Sequence, residues 1–156
     1  MSSSFNTSAG TRGARQPGRA AKWFNKWMMK RIRRKGGAKL RGLNALVLTT
    51  TGRKSGEPRS TPVGWFPGKS GGWLIVASAA GAPKNPAWYL NLAAHPDQVQ
   101  VELGGRKVYV DAEQLQGAER EEAWRQITTA APRFAQYQVN TDREIPVIRL
   151  TPRSAR

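Results

Sequence analysis

Apolar and polar positions recur along this chain with periods that delimit its elements. Over residues 21–35, Phe24, Met28 and Ile32 fall at every fourth position, flanked by Trp23 and Trp27. Lys22, Lys26, Lys30, Arg33 and Arg34 fill most of the positions between. That spacing predicts an amphipathic helix with one bulky apolar side, stopped by Gly36 and Gly37. "LNALVLTTT" (Leu43–Thr51) predicts a strand and "RSTPVGWFP" a second, whose Pro62 suggests an edge or a bulge. After the tight turn "PGKSGG", "WLIVAS" reads as a buried strand. Asn85 suits a helix N-cap and Pro86 the first helical position, with that helix ending by His95-Pro96. "QVQVEL" and "RKVYVDAEQL" alternate around Gly104-Gly105, a hairpin signal. "GAEREEAWRQITTAA" places acids first, as a helix N-terminus favours. A short helix around "PRFAQYQVNTD" and a strand at "IPVIRL" complete the pattern. The order α-βββ-α-ββ-α(α)-β has hairpin-connected strands, not regular strand–helix alternation. It predicts an α+β fold: a mostly antiparallel sheet or barrel of about six strands with helices packed outside.

Length changes little: 156 residues suit one domain with a real core. No apolar run reaches the roughly 18 residues of a membrane span, and the N-terminus lacks the apolar stretch of a signal peptide. The absence of cysteine excludes disulfide and thiolate chemistry and fits a reducing cytoplasm. Charge changes more. The net charge is +16, yet residues 1–41 hold twelve Lys/Arg and no acid, against fourteen basic and ten acidic residues in the rest. The extreme basicity therefore belongs to an N-terminal appendage. Residues 1–20, small, polar and basic, read as a disordered tail; 21–41 as the basic amphipathic helix; 42–152 as the folded body. Trp beside Lys and Arg is the composition of a helix lying in a membrane interface. An anionic membrane surface is thus an expected partner, with the protein cytoplasmic and peripheral on the inner face of the cell membrane. Packing of the helix on the barrel, or disorder, competes with that reading. Six tryptophans and the cations also suit nucleic acid. No nucleic-acid motif is present, however, and the charge sits on a tail and not across a fold face, so none is expected.

Side-chain chemistry is sparse. One histidine and no cysteine make no zinc site of the usual kinds, and no metal is expected. There is no "GxSxG" elbow. His95, at a predicted helix end, suits capping. "GWFPGKS" resembles a phosphate-binding loop but has the wrong glycine spacing and no following helix, so it reads as a turn. What remains is cationic. "TTTGRKSGEPRST" carries Arg53, Lys54 and Arg59 around two glycines and a proline. Lys84 stands just before the helix start at Asn85-Pro86. Helix N-termini and small-residue loops favour anions, and arginine makes forked contacts with phosphate or carboxylate. A solvated basic turn has the same composition, and both readings stay open on composition alone.

Three blocks then resemble something known. "LVLTTTGRKSGEPRSTPV", "IVASAAGAPKNPAWYLNLAAHPDQVQVEL" and "TDREIPVIRLTP", spread over residues 46–151, closely resemble the deazaflavin-dependent nitroreductase family of actinobacteria. The resemblance implies a split β-barrel for residues 42–152 and, as cofactor, reduced 8-hydroxy-5-deazaflavin, coenzyme F420. Its phosphodiester and oligoglutamate tail would meet Arg53, Lys54, Ser55, Gly56 and Arg59. Its ring would meet Ser78, Ala79, Ala80 and Gly81, with Ala87 and Trp88 beside it. Such a cofactor donates hydride itself, which agrees with a chain that offers no metal, thiol or catalytic histidine. The implied acceptors are quinones, activated alkenes and nitroaromatics. Ser78 and Tyr137 match polar positions near the acceptor and are the implied catalytic side chains; Gly64, Trp65 and Phe134 would line its pocket. A nitroimidazole-activating member carries lysine at the position of Ala79 and tyrosines at those of Gly64, Ala131 and Phe134. The expected activity is therefore quinone or enone reduction ahead of nitroreduction. A non-catalytic flavin or deazaflavin carrier is the alternative.

Overall fold

The computed structural model describes Phe5, residues 7–13 and residues 20–153. Helix α1 (Ala20–Arg33) leads into β1 (Lys39–Leu40), β2 (Leu43–Thr51), β3 (Pro58–Gly64), β4 (Phe66–Pro67) and β5 (Trp73–Val76). Then come α2 (Ala87–Ala94), the hairpin β6 (Val99–Leu103) and β7 (Arg106–Gln114), α3 (Gly117–Ala130), α4 (Arg133–Asn140) and β8 (Val147–Pro152). The antiparallel path β3-β2-β6-β7-β8-β5 forms a half-barrel, with the two-residue β1 and β4 appended to β2 and β5. Those six longer strands are the ones the sequence pattern predicts. Between the ends of the path, β3 and β5 share no ladder among the described residues. This seam is where the barrel is split, and it matters for the site.

Four consecutive buried residues of β2, Ala45 to Leu48, show how the layers form. Alternate side chains of a strand face opposite ways. Leu46 and Leu48 enter the barrel core with Ile75, Tyr89, Val101 and Leu150, while Ala45 and Val47 face out against Met28 and Ile32 of α1. A strand covered on both faces reads as a continuous apolar run. Helices α3 and α4 cover another flank, where Ile127 and Phe134 pack with Phe66, Leu74 and Val147.

Helix α1 departs from expectation. Its large apolar residues do not share one side. At 3.6 residues per turn, Trp23 and Ile32, nine positions apart, point in opposite directions. Met28 and Ile32 are buried on β2, each contributing about 1.5–3 kcal/mol, whereas Trp23 is 85% and Trp27 52% exposed. The packed end is held further. The amides of Gly104 and Gly105 donate to the carbonyls of Ile32 and Arg33 at 3.1 and 3.0 Å, and Arg33 pairs with Glu102 at 3.3 Å.

Two other local expectations change. Pro86, extended at ψ 150°, precedes a helix that starts at Ala87 with no side-chain cap. Asn85 is occupied elsewhere, donating to the carbonyls of Thr7 and Ser8. The stretch expected to be a disordered tail also has structure where it is described: Phe5 packs edge-on to Tyr89 at 6.1 Å, and Gly10 donates to Pro83 at 2.6 Å. Pro62 falls on an edge strand, since among the described residues β3 pairs only with β2, and His95 ends α2 through its amide to Asn91 O.

Candidate functional site

The cationic turn is built by local rules. Between β2 and β3 the Gly52 amide donates to Glu57 O and the Gly56 amide to Gly52 O, both at 2.8 Å. Gly56 takes φ 73°, which other residues adopt at a cost. The Glu57 amide donates to Ser55 Oγ at 3.2 Å. Across the turn Asn91 of α2, itself buried, accepts from the Arg53 amide at 3.1 Å and from Arg53 Nη1 at 3.4 Å. The turn is thereby fixed to the helix. Between them lies a cavity of about 500 Å³ lined by Arg53, Lys54, Ser55, Arg59, Ala87 and Trp88, among others. No acidic side chain lines it, and neither Lys54 nor Arg59 has an ion-pair partner among the described residues. Like charges gathered without counter-charge are unfavourable unless an anion joins them. Gly56 stays at the exposed tip and shapes the turn without lining the cavity.

A second cavity, about 330 Å³, fills the seam between β3 and β5 and shares Thr61, Pro86 and Trp88 with the first. Gly64, Ser78, Ala79, Ala80, Phe134 and Tyr137 all line it, so the expected acceptor side and ring side converge. Neither the Ser78 nor the Tyr137 hydroxyl has a hydrogen-bond partner among the described residues. Phe134 stacks edge-on with Tyr137 at 5.3 Å and with Phe66 at 5.7 Å, which fixes one wall. Ala79 and Ala80 hold positive φ, 45° and 54°, followed by Gly81 at 81°. Gly81 lies buried under this turn and off the cavity wall; a Cβ there would come within 2.8 Å of Tyr137 O.

One expected residue, Trp65, lies elsewhere, as does Ala131, a position where the nitroimidazole-activating member carries tyrosine. Trp65 follows the last residue of β3 and turns to the opposite side from Gly64, packing against the barrel core with its Nε1 buried and unpartnered. Strand alternation thus removes it from the seam cavity. Ala131 is buried behind Phe134 in the helical core. Other wall residues went unread in the sequence: Phe24 and Asn25 from α1, Leu43, Arg41 and Arg133. The guanidinium of Arg133 sits over the Phe134 ring at 5.3 Å. Arg41 and Arg133 bring cations to a cavity with no acid in its lining. Leu43 fills the space that a side chain at position 64 would need, 2.9 Å from a Cβ there.

A split antiparallel half-barrel with a cationic groove opening into an aromatic seam suits a flat ligand that carries an anionic tail. The comparisons narrow this. Residues 22–152 match the model of the F420H(2)-dependent quinone reductase family. The F420H(2)-dependent quinone reductase Rv1261c of Mycobacterium tuberculosis is 38% identical over 112 residues, which cover 70% of this chain and 74% of that protein. The solved F420-H2 dependent reductase FDR-A matches with TM-score 0.61 and 40% identity over 68% of this chain and 92% of its own. Another solved chain, described as a domain-swapped dimer, matches with TM-score 0.63 and 33% identity over 84% and 96%. The haem-storage protein HutZ of Vibrio cholerae, 14% identical at TM-score 0.53, shares the fold alone. The chain belongs to the F420H(2)-dependent quinone reductase family. It is an oxidoreductase whose cofactor is reduced coenzyme F420. The residues present fit that cofactor: unpaired cations stand ready for an anionic tail, and a small-residue turn lets backbone approach a flat ring.

Proposed function

We propose that this oxidoreductase passes hydride from reduced coenzyme F420 to a quinone seated in the seam between β3 and β5. One observation carries the reading: a cationic cavity and an aromatic one meet at Thr61, Pro86 and Trp88. When bound, the deazaflavin supplies the hydride from a ring carbon. Arg53, Lys54 and Arg59, with Ser55, hold the carboxylates and phosphate of the tail, while the backbone of Ser78–Ala80 and the side chain of Trp88 orient the ring. Ala87 opens α2 beside it, where helix N–H groups favour negative charge.

Reducing a quinone to a quinol takes one hydride and one proton. The free hydroxyls of Ser78 and Tyr137 bond the quinone oxygens, and Tyr137 hands on the proton. As hydride arrives, negative charge grows on the acceptor oxygen. Arg133 and Arg41, with no acid in the same cavity, stabilise it. Phe24, Leu43, Val63 and Phe134 keep water from the reacting atoms. Gly64 and Phe134 offer no hydroxyl to a nitro group, so quinones and enones are reduced faster than bicyclic nitroimidazoles. Turnover of menadione by reduced F420, compared with reduced FMN and NADPH, tests the core of the reading. Equal turnover with either of the other donors would refute it.

The outer face of α1 supports a place of work. Trp23 and Trp27 are exposed beside Lys22, Lys26 and Lys30. Each cation near an anionic leaflet adds about 1 kcal/mol of attraction. The protein is thus read as peripheral on the inner face of the membrane, where quinones dissolve, with Phe24 between the outer face and the acceptor cavity. Trp23→Ser/Trp27→Ser leaves the packed residues Met28 and Ile32 untouched. This variant should lose co-sedimentation with anionic vesicles that the parent retains; equal sedimentation of both ends the idea.

A further inference from the structure

Arg143 is a charged side chain that none of the roles above uses. It is 6% exposed, and burial lowers its pKa from the usual arginine value. A cation moved out of water needs compensation, commonly a carboxylate. Among the described residues no acid pairs with Arg143. Its compensation is four hydrogen bonds to one loop. Nε donates to Ala82 O at 2.9 Å, Nη1 to Ala77 O at 3.0 Å and to Asn85 Oδ1 at 3.1 Å, and Nη2 to Ser78 O at 2.8 Å.

All four acceptors lie between residues 77 and 85, the loop that brings Ser78, Ala79 and Ala80 to the acceptor cavity. The backbone of this loop is disfavoured by itself, because Ala79 and Ala80 are both left-handed, a region that suits glycine. A planar fork that binds several carbonyls at fixed angles can hold such a turn, whereas an ammonium, as a point charge, cannot. The loop is also held from outside. Gly10 donates to Pro83 O, and Asn85, one of the acceptors of Arg143, donates to Thr7 O and Ser8 O. The neighbouring Asp142 accepts from the amides of Thr11 and Arg12 at 2.7 and 3.1 Å and from the Thr11 hydroxyl. Adjacent residues of "TDREIPV" therefore grip the loop from beneath and the crossing N-terminal segment from the side.

We infer that Arg143 is a positioning residue of the cofactor site: it sets the left-handed turn at Ala79–Gly81 on which the deazaflavin ring rests. It lines neither cavity, so it acts through the loop carbonyls and touches neither cofactor nor acceptor. This role rests on the function proposed above. The test uses the full chain with Arg143→Lys, which keeps the charge and loses the fork, and Arg143→Gln, which loses both. Hydrogen exchange of the amides of residues 79–82 in the cofactor-free protein should quicken about tenfold in each variant, with β2 and β6 amides unchanged. The dissociation constant for F420, read by fluorescence, should rise about tenfold or more, while the acceptor KM at saturating cofactor stays within twofold. In Arg143→Ala, added guanidinium should restore affinity and sodium chloride should not. Unchanged exchange at 79–82, or faster exchange with unaltered F420 affinity, overturns the role. A parent chain that binds no F420 brings down the proposed function first, and this role with it.

Discussion

The two cavities of the site adjoin yet are assembled in different ways. The cationic one is largely the work of one turn: Gly52 to Arg59 closes on itself through its own amides and is tied to α2 at Asn91. The aromatic one draws on α1, the segment before β2, β3, the loop after β5, and α4. Local construction makes the first depend on one turn and its tie to α2. The second depends on how separate elements meet. On the function proposed above, the difference teaches where that function would be robust: capture of the anionic tail rests on a short stretch, whereas acceptor choice is exposed to change from many points of the chain.

Mutations separate the two. The largest effect is expected at the cationic turn. Lys54→Ala or Arg59→Ala removes a charge-assisted contact, so F420 affinity should fall about tenfold to a hundredfold. The loss should shrink at high salt and for F420 lacking its glutamate tail, and the acceptor KM should not move. Unchanged affinity in both variants would make the turn an ordinary solvated one. Next comes Tyr137→Phe, on the other side of the boundary. Loss of a proton donor should lower kcat with a quinone about tenfold to a hundredfold, with F420 affinity within twofold; a weakened cofactor instead would merge the two cavities into one functional unit. Smaller still is Gly64→Ala. Its Cβ crowds Leu43, and overfilling the seam should raise the acceptor KM about twofold to fivefold. A kinetic profile identical to the parent would show that the acceptor does not approach β3.

The smallest effect concerns the loop that floors the second cavity. The Asp142 carboxylate is held at a pKa of about 2 against an ordinary 3.8, chiefly by the Thr11 hydroxyl and then by the amides of Arg12 and Thr11. Between those values the folded protein binds fewer protons than the unfolded chain. The stability from this contact is complete above pH 3.8 and is lost as pH falls through about 2. Asp142→Asn should flatten the dependence of Tm on pH in that window and leave turnover near neutrality within about twofold. A parent profile no steeper than that of the variant refutes the contact.

Legibility in the sequence followed the same division. Alternation and turn chemistry suffice for β2, whose bounds match the pattern at both ends, and for the turn with Arg53, Lys54 and Arg59. Phe24, Arg41 and Arg133 were not readable as residues of the seam cavity, because only the packing of α1, the β1–β2 turn and α4 around the seam brings them there. Trp23 and Ile32 look alike by composition and even by rough periodicity. What separates them is the strand that covers one face of α1. Asn85 looks like a cap because Asn before Pro-Ala commonly is one; Arg143, 58 residues on, claims its side chain. Trp65 belongs to the core and not the pocket, which the parity of β3 states once the strand end at Gly64 is known.

The open seam also has a cost unrelated to catalysis. Leaving β3 and β5 unpaired with each other leaves strand edges open, on β3 exposed at Pro58–Ser60 and covered from Thr61 on, and exposed edges recruit strands from other molecules. Proline blunts such an edge, since it has no N–H to offer an incoming strand. Pro58 and Pro62 are four residues apart on β3 and so share one parity, which puts both missing donors on the same side. With the other side of β3 fully paired to β2, that side is the free edge. On the β5 flank, the stub β4 ends in Pro67. A half-barrel with an open seam thereby carries its own guard against aggregation, and Pro58→Thr, at the exposed end of that edge, should form soluble oligomers or precipitate on concentration while the parent stays dispersed.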